Sequence, residues 1–230
     1  MDELALAKNK QQHAFTIVEL LIVIVVIGIL AAITVVAYNN IQRRAINTHI
    51  STNVSTYERV ISAYLAEYSS YPSFSAGNGG ACLGKDYADH VGGDGIGDCG
   101  ESAYPVKVDS TFNTALTKII SSLPTVSNRS IAMPYQTSTW VGATMHYYPP
   151  DASRTNPQEQ EGFTVDGASN PYYLMYVLEG GNEDCKNSNM VIPDEGNGGW
   201  PKMTTTIPSS QKWSWSDNKT TACVVALSNP

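Results

Sequence analysis

Cysteine is absent from the first 81 residues of this 230-residue chain, and the four that follow, Cys82, Cys99, Cys185 and Cys223, include no C-x-x-C pair. A thiolate zinc site and a thioredoxin-like motif therefore lack support. Charge is scarce as well, at 15% against roughly 25% in an ordinary soluble domain. The net charge of −7 falls wholly in Ser69 to Pro230, which hold nine basic and sixteen acidic residues, while Met1 to Tyr68 balance at five of each. A region of that sign repels phosphate backbones, which disfavours broad nucleic-acid binding. Catalytic motifs are missing too: the sequence has no G-x-S-x-G, H-E-x-x-H, Walker or dinucleotide glycine pattern. His13, His49, His90 and His146 are scattered without metal-ligand spacing, and the acidic pair Glu183 and Asp184 is not placed in any cleft. The expectation is a protein that is not an enzyme, with no catalytic residue, metal or cofactor.

What the chain does have is a long apolar run. Leu20 to Ile33 reads LLIVIVVIGILAAI, and the run extends from Phe15 to Ala37 if Thr16, Glu19 and Thr34 are tolerated. A helix needs roughly 20 apolar residues to cross the hydrocarbon core, and this one shows no polar stripe of the kind a soluble core helix carries. It reads as a membrane span over 15–37. The polar stretch MDELALAKNKQQHA precedes it, and Ala14 stands directly before Phe15. In a secretory signal the small-residue cleavage site follows the apolar core. Here a cut after Ala14 would remove only residues 1–14 and leave the span on the protein. Lys8 and Lys10 keep that leader cytoplasmic, so the rest of the chain lies outside.

Glu19 needs a partner, because an acidic residue inside a spanning helix costs up to about 2.5 to 3.5 kcal/mol. Cleavage between Ala14 and Phe15 would create an amine four residues away, about 6 Å along a helix. The carboxylate would take that amine within one subunit or from a neighbouring helix, or else snorkel to the interface. HAFTIVELLIVIVVIGILAAI resembles the processing and assembly segment of type IV prepilins and pseudopilins, over about Lys8 to Arg44. The resemblance implies that prepilin peptidase cuts after Ala14 and that Phe15 is N-methylated. It also implies that Glu19 is the carboxylate required for assembly. The implied partners are other copies in a helical filament, the peptidase, and the pilus assembly platform with its ATPase machinery. The implied location is a single-pass membrane protein before assembly and a cell-surface, extracellular pilus afterwards. Ala14 stands where the family usually has glycine, and the helix-bending proline near Val36 is missing. Gly28 occupies a position where such helices unwind locally in a filament; the other reading makes it a small packing residue.

No Gly or Pro interrupts Ile29 to Tyr71. Ile41, Ala45, Ile46, Ile50, Val54, Tyr57, Val60, Ile61, Tyr64, Leu65 and Tyr68 recur at helical spacing, with Asn47 among the polar residues between them, so an amphipathic continuation is expected over 38–68. The whole helix, from about Phe15 to Tyr68, would be roughly 80 Å long. Arg43 and Arg44 read as a solvated face or as partners of a neighbouring subunit. Residues 69–230 then form the globular head.

Tyr71 to Tyr104, glycine-rich and holding Cys82 and Cys99, is expected to lack regular structure. Its Asp86, Asp89, Asp94 and Asp98 do not have the spacing of a calcium loop. A second helix, capped by Asp109 or Ser110, is expected to carry Phe112, Ala115, Leu116, Ile119, Ile120 and Leu123 and to stop at Pro124. Strands are expected at Thr139 to Tyr148, Pro171 to Glu179 and Thr220 to Leu227, with a fourth near Met190 to Ile192 or Thr204 to Ile207. The fold class is α+β: a long helix laid on an antiparallel sheet. Trp200, Trp213 and Trp215 make either an adhesive surface or a small core.

Four cysteines allow three connectivities. Two disulfides in an oxidising compartment fit better than free thiols, and Cys82 with Cys99 and Cys185 with Cys223 give the short loops. The expected function is a structural subunit of a type IV pilus-like filament. The alternatives are a minor pilin or secretion pseudopilin, and a single-pass anchored protein whose head binds a ligand.

Overall fold

The computed structural model describes residues 16–75, 79–89, 96–100, 106–126, 129–132, 139–147, 164–165, 168–169, 171–181, 183–185, 213–216 and 219–227. The chain divides into two compact units, 1–42 and 43–230. Helix α1, Ile17–Tyr68, is unbroken. Nothing in its sequence breaks the hydrogen-bond ladder until Ser69, which adopts φ 52° while its N–H reaches Leu65 O at 2.8 Å. This left-handed residue, followed by Pro72, ends the helix. The expected strand at Met190 to Ile192 or Thr204 to Ile207 lies outside the described residues.

In the second unit the core is one apolar cluster shared by α1 and a five-stranded antiparallel sheet. The strands are β1 (Gly80–Cys82), β4 (Ala143–Tyr147), β7 (Tyr172–Glu179), β9 (Thr220–Ala226) and β8 (Trp213–Ser216), in that spatial order. The central pairing runs from Tyr173 opposite Ala226 to Glu179 opposite Thr220. Every residue of β9, and Tyr173 to Leu178 of β7, is buried. Both faces of these two strands are therefore covered, so they read as continuous apolar runs rather than as alternating patterns. From α1 the cluster receives Ile50, Val54, Tyr57, Val60 and Ile61, each buried. Fully burying a side chain of this size contributes about 1.5 to 3 kcal/mol. Two small two-stranded ladders lie outside that sheet: β2 (Ser130–Ala132) with β3 (Thr139–Val141), and β5 (Thr164–Val165) with β6 (Ala168–Ser169).

The α+β class stands, with corrections to individual elements. Glycine-rich Tyr71 to Tyr104 contains edge strand β1, because Gly80 lets its backbone approach β4: a Cβ there would lie 2.8 Å from Met145 O. The single strand expected over Thr139 to Tyr148 is broken at Gly142, whose φ of 89° sends β3 and β4 into different sheets. Trp213–Ser216 is a strand that the sequence reading did not place. Helix α2 covers only Ser110–Leu116. Lys118 N and Ile119 N bond back three residues, to Ala115 O and Leu116 O, so the chain tightens out of the helix before Pro124. Ile119, Ile120 and Leu123 still pack against the core, from an irregular segment. Of the two expected caps it is Asp109 that serves: Oδ1 accepts from Phe112 N–H at 3.0 Å, and Oδ2 accepts from Ser75 N–H at 2.6 Å.

The helix stripe also needs correction. Ile41, Ala45 and Tyr68 are exposed, whereas Asn47 is buried. Its amide replaces a missing strand. Pairing of β4 with β7 ends at Ala143 opposite Tyr176, and near the end of β7 Asn47 Nδ2 donates to Glu179 O while Oδ1 accepts Glu179 N–H.

Candidate assembly site on the N-terminal helix

The first turn of α1 begins at a capping box. Thr16 donates to Glu19 Oε2 at 2.8 Å from both its backbone N–H and its hydroxyl, and Glu19 N–H donates to Thr16 Oγ1 at 3.2 Å. The reciprocal bonds satisfy amides that a helix start otherwise leaves open, and a carboxylate there also faces the positive end of the helix dipole. Glu19 thus has a partner beyond those weighed from sequence. The signal was present as Thr16-x-x-Glu19, the spacing of such a box.

From Ile17 to Val35 the large apolar side chains face outward all around the helix: Ile17 is 83% exposed and Ile24 66%. An apolar surface of this extent calls for lipid or other apolar helices. Thr34 adds little polarity, since its hydroxyl turns back onto Leu30 O and Ala31 O, both at 2.9 Å. Gly28 lies within the unbroken helix, and a Cβ built there meets nothing within 4 Å. Ala14 and Phe15 lie outside the described residues.

In the second unit two disulfides close the head: Cys82–Cys99 and Cys185–Cys223, separated by 17 and 38 residues. These are the short-loop pairings. Arg43, expected either solvated or paired with a neighbouring subunit, lies 3.8 Å from Glu183 Oε1, and its buried Nε has no hydrogen-bond partner among the described residues. Arg129 pairs with Glu179 at 2.8 Å.

His146 is half-buried on β4, stacked on Tyr173, with Thr144 Oγ1 2.8 Å from its Nε2. Burial lowers its imidazole from 6.5 to about 4. His49 Nε2 lies 3.1 Å from Asn53 Nδ2. His13, His90, Asp94 and Trp200 lie outside the described residues, and the side chains of Trp213 and Trp215 are not described. Asp98 is buried, with its backbone bridged to Lys107. Among the described residues no group of three or more His, Cys, Asp or Glu side chains is gathered for a metal.

Residues 9–35 match the prokaryotic N-terminal methylation motif. This is the type IV pilin and prepilin signature, and it spans both the capping box and Gly28. The motif is structural rather than catalytic, and with the apolar helix it fits a membrane-anchored precursor of the pilin-like or pseudopilin kind. No curated protein and no solved structure matches the chain.

Proposed function

We propose that the chain is a structural subunit of a type IV pilus-like extracellular filament, cleaved after Ala14 and N-methylated at Phe15. The observation that carries this reading is the coincidence of the methylation motif with a helix whose first turn holds one carboxylate and whose next fourteen residues, Leu20 to Ile33, are apolar and uncovered. Prepilin peptidase acts on the precursor, and the assembly platform with its ATPase then draws subunits out of the membrane. Lipid gives way to neighbouring apolar helices, which are equally greasy, so burial alone does not drive the exchange. Direction and register come from charge. Cleavage exposes an amine at Phe15, next to the Thr16 that already holds Glu19. The carboxylate pairs with that amine, and in a bundle with a neighbour's, which fixes the axial position as a buried polar residue does in a coiled coil. Gly28 is the point at which the helix loosens as subunits pack. The disulfide-closed head remains outside the membrane and forms the filament surface.

Mass spectrometry of the mature N-terminus tests the reading. It is expected to begin at N-methylated Phe15; a chain that keeps Met1 and stays monomeric in detergent defeats it and leaves a single-pass anchored protein.

A further inference from the structure

A cavity of about 340 Å³ opens beside α2 in the second unit, a size within the roughly 300 to 1,000 Å³ of small-molecule sites. Its walls are tied by bonds that need no ligand. Gly84 turns through φ 119°, and its carbonyl accepts from Asn113 Nδ2 at 3.0 Å, which fastens the loop bearing Lys85 to α2. The Cys82–Cys99 disulfide holds the chain just before that loop. The Tyr57 hydroxyl donates to Pro124 O at 2.8 Å, which anchors the end of the wall formed by Ser121 to Leu123 on α1. A ligand would therefore meet a preformed site.

The lining is chemically selective. Residues from Ser69 onward carry the whole negative excess of the chain, yet no Asp or Glu is among the described residues that line the cavity, and its one ionised group is Lys85. Lys85 is exposed and makes no hydrogen bond or ion pair among the described residues. Asn113 is 7% exposed, and its Oδ1 has no hydrogen-bond partner among the described residues, so the fold leaves this acceptor open. Ser121 and Ser122 add exposed hydroxyls, while Thr117 donates its proton to Thr114 O at 2.8 Å and keeps an oxygen that can accept. Val108 and Leu123 supply apolar surface.

We infer that this cavity binds one hexuronic acid residue of an acidic glycan, with its carboxylate on Lys85 and its hydroxyls on Asn113 Oδ1 and the serine and threonine side chains. A phosphate ion would answer Lys85 but brings few protons for the open acceptor and leaves Val108 and Leu123 uncovered. A neutral sugar would leave the cation unanswered. A uronic acid brings a carboxylate, hydroxyls that donate and accept, and an apolar C–H face on a single ring. The inference goes beyond the filament reading, since one chain holds the whole site and no assembly is needed to form it.

The test titrates the full-length chain in detergent with methyl glucuronide, methyl glucoside and inorganic phosphate, followed by calorimetry. Methyl glucuronide is expected to bind at least about tenfold more tightly than methyl glucoside, which carries a hydroxymethyl group in place of the carboxylate. Lys85→Met should remove that preference, and Ser121→Ala with Ser122→Ala should weaken both glycosides at least about threefold. Lys118→Met changes a lysine that lies over the Tyr68 ring and does not line the cavity, so it should leave binding unaltered. Unchanged melting temperatures show that the variants still fold. No binding of methyl glucuronide, or equal binding of the two glycosides, overturns the inference. Phosphate that competes as tightly as the glucuronide overturns the sugar assignment, and equal losses with Lys85→Met and Lys118→Met overturn the site by reducing it to general surface charge.

Discussion

The side-chain amide of Asn47 holds both backbone groups of Glu179, donating to its carbonyl at 2.8 Å and accepting its N–H at 3.0 Å. One residue of the helix thus occupies the place that β4 vacates three residues earlier. Asn47→Ala is expected to destabilise the protein by about 1 to 3 kcal/mol, because two backbone groups lose their partner. Asn47→Asp should not rescue it, since a carboxylate offers nothing to the Glu179 carbonyl. Chemical unfolding in detergent, followed by tryptophan fluorescence, measures the loss.

The two disulfides should contribute unequally. Closing a 17-residue separation constrains the unfolded chain by about 3 kcal/mol and a 38-residue separation by about 4 kcal/mol in the loop-entropy account. Replacing Cys185 and Cys223 together by Ser is therefore expected to lower the melting temperature more than replacing Cys82 and Cys99 together. Cys223 lies fully buried in β9, so its loss also disturbs the centre of the sheet. Equal melting temperatures for the two double variants would refute this ordering.

Helix α1 was legible because its evidence is local: an apolar run, then helical spacing, with no Gly or Pro to stop it. The three long strand regions were legible for the same reason, apart from the break at Gly142, where a positive φ and the nearby Tyr87 ring decide the matter. Strand β1 was hidden because its glycines resemble those of a loop until the partner backbone is known. Asn47 was hidden for the converse reason: a polar residue between apolar ones reads as solvated unless the unpaired end of β7 is in view. At the candidate site, Glu19 was found by its cost in lipid, while its bond to Thr16 followed from a spacing already written in the chain. The fit of the head to any ligand has no such local signature.

His146 gives stability a pH dependence of definite sign. Its imidazole titrates near 6.5 when free and at about 4 in the fold, so between those values the unfolded chain binds more protons. Its contribution is complete above about pH 6.5 and is lost progressively as pH falls toward 4, by roughly 1 to 3 kcal/mol given its partial exposure. Glu58, whose carboxyl is raised, works in the opposite direction, its contribution falling as pH rises. Comparison of wild type with His146→Gln isolates the histidine: the variant should show the shallower decline between pH 6.5 and 4 in thermal melts. Parallel curves would assign the acid sensitivity elsewhere.

Thr16 and Glu19 allow the cap to be separated from the charge. Thr16→Val removes the hydroxyl but keeps the backbone N–H bond and the carboxylate, so it should weaken the helix start by about 1 kcal/mol and leave filament yield near wild type. Glu19→Gln keeps an acceptor for Thr16 while removing the negative charge, and Glu19→Ala removes both. If the carboxylate acts by answering the Phe15 amine, both Glu19 variants should enter the membrane normally and form no filaments. If capping is its whole contribution, Glu19→Gln should assemble and Thr16→Val should be impaired alongside Glu19→Ala. Counting filaments by electron microscopy for the three variants, at matched membrane levels, decides between a helix that needs its end tied and a bundle that needs its acid.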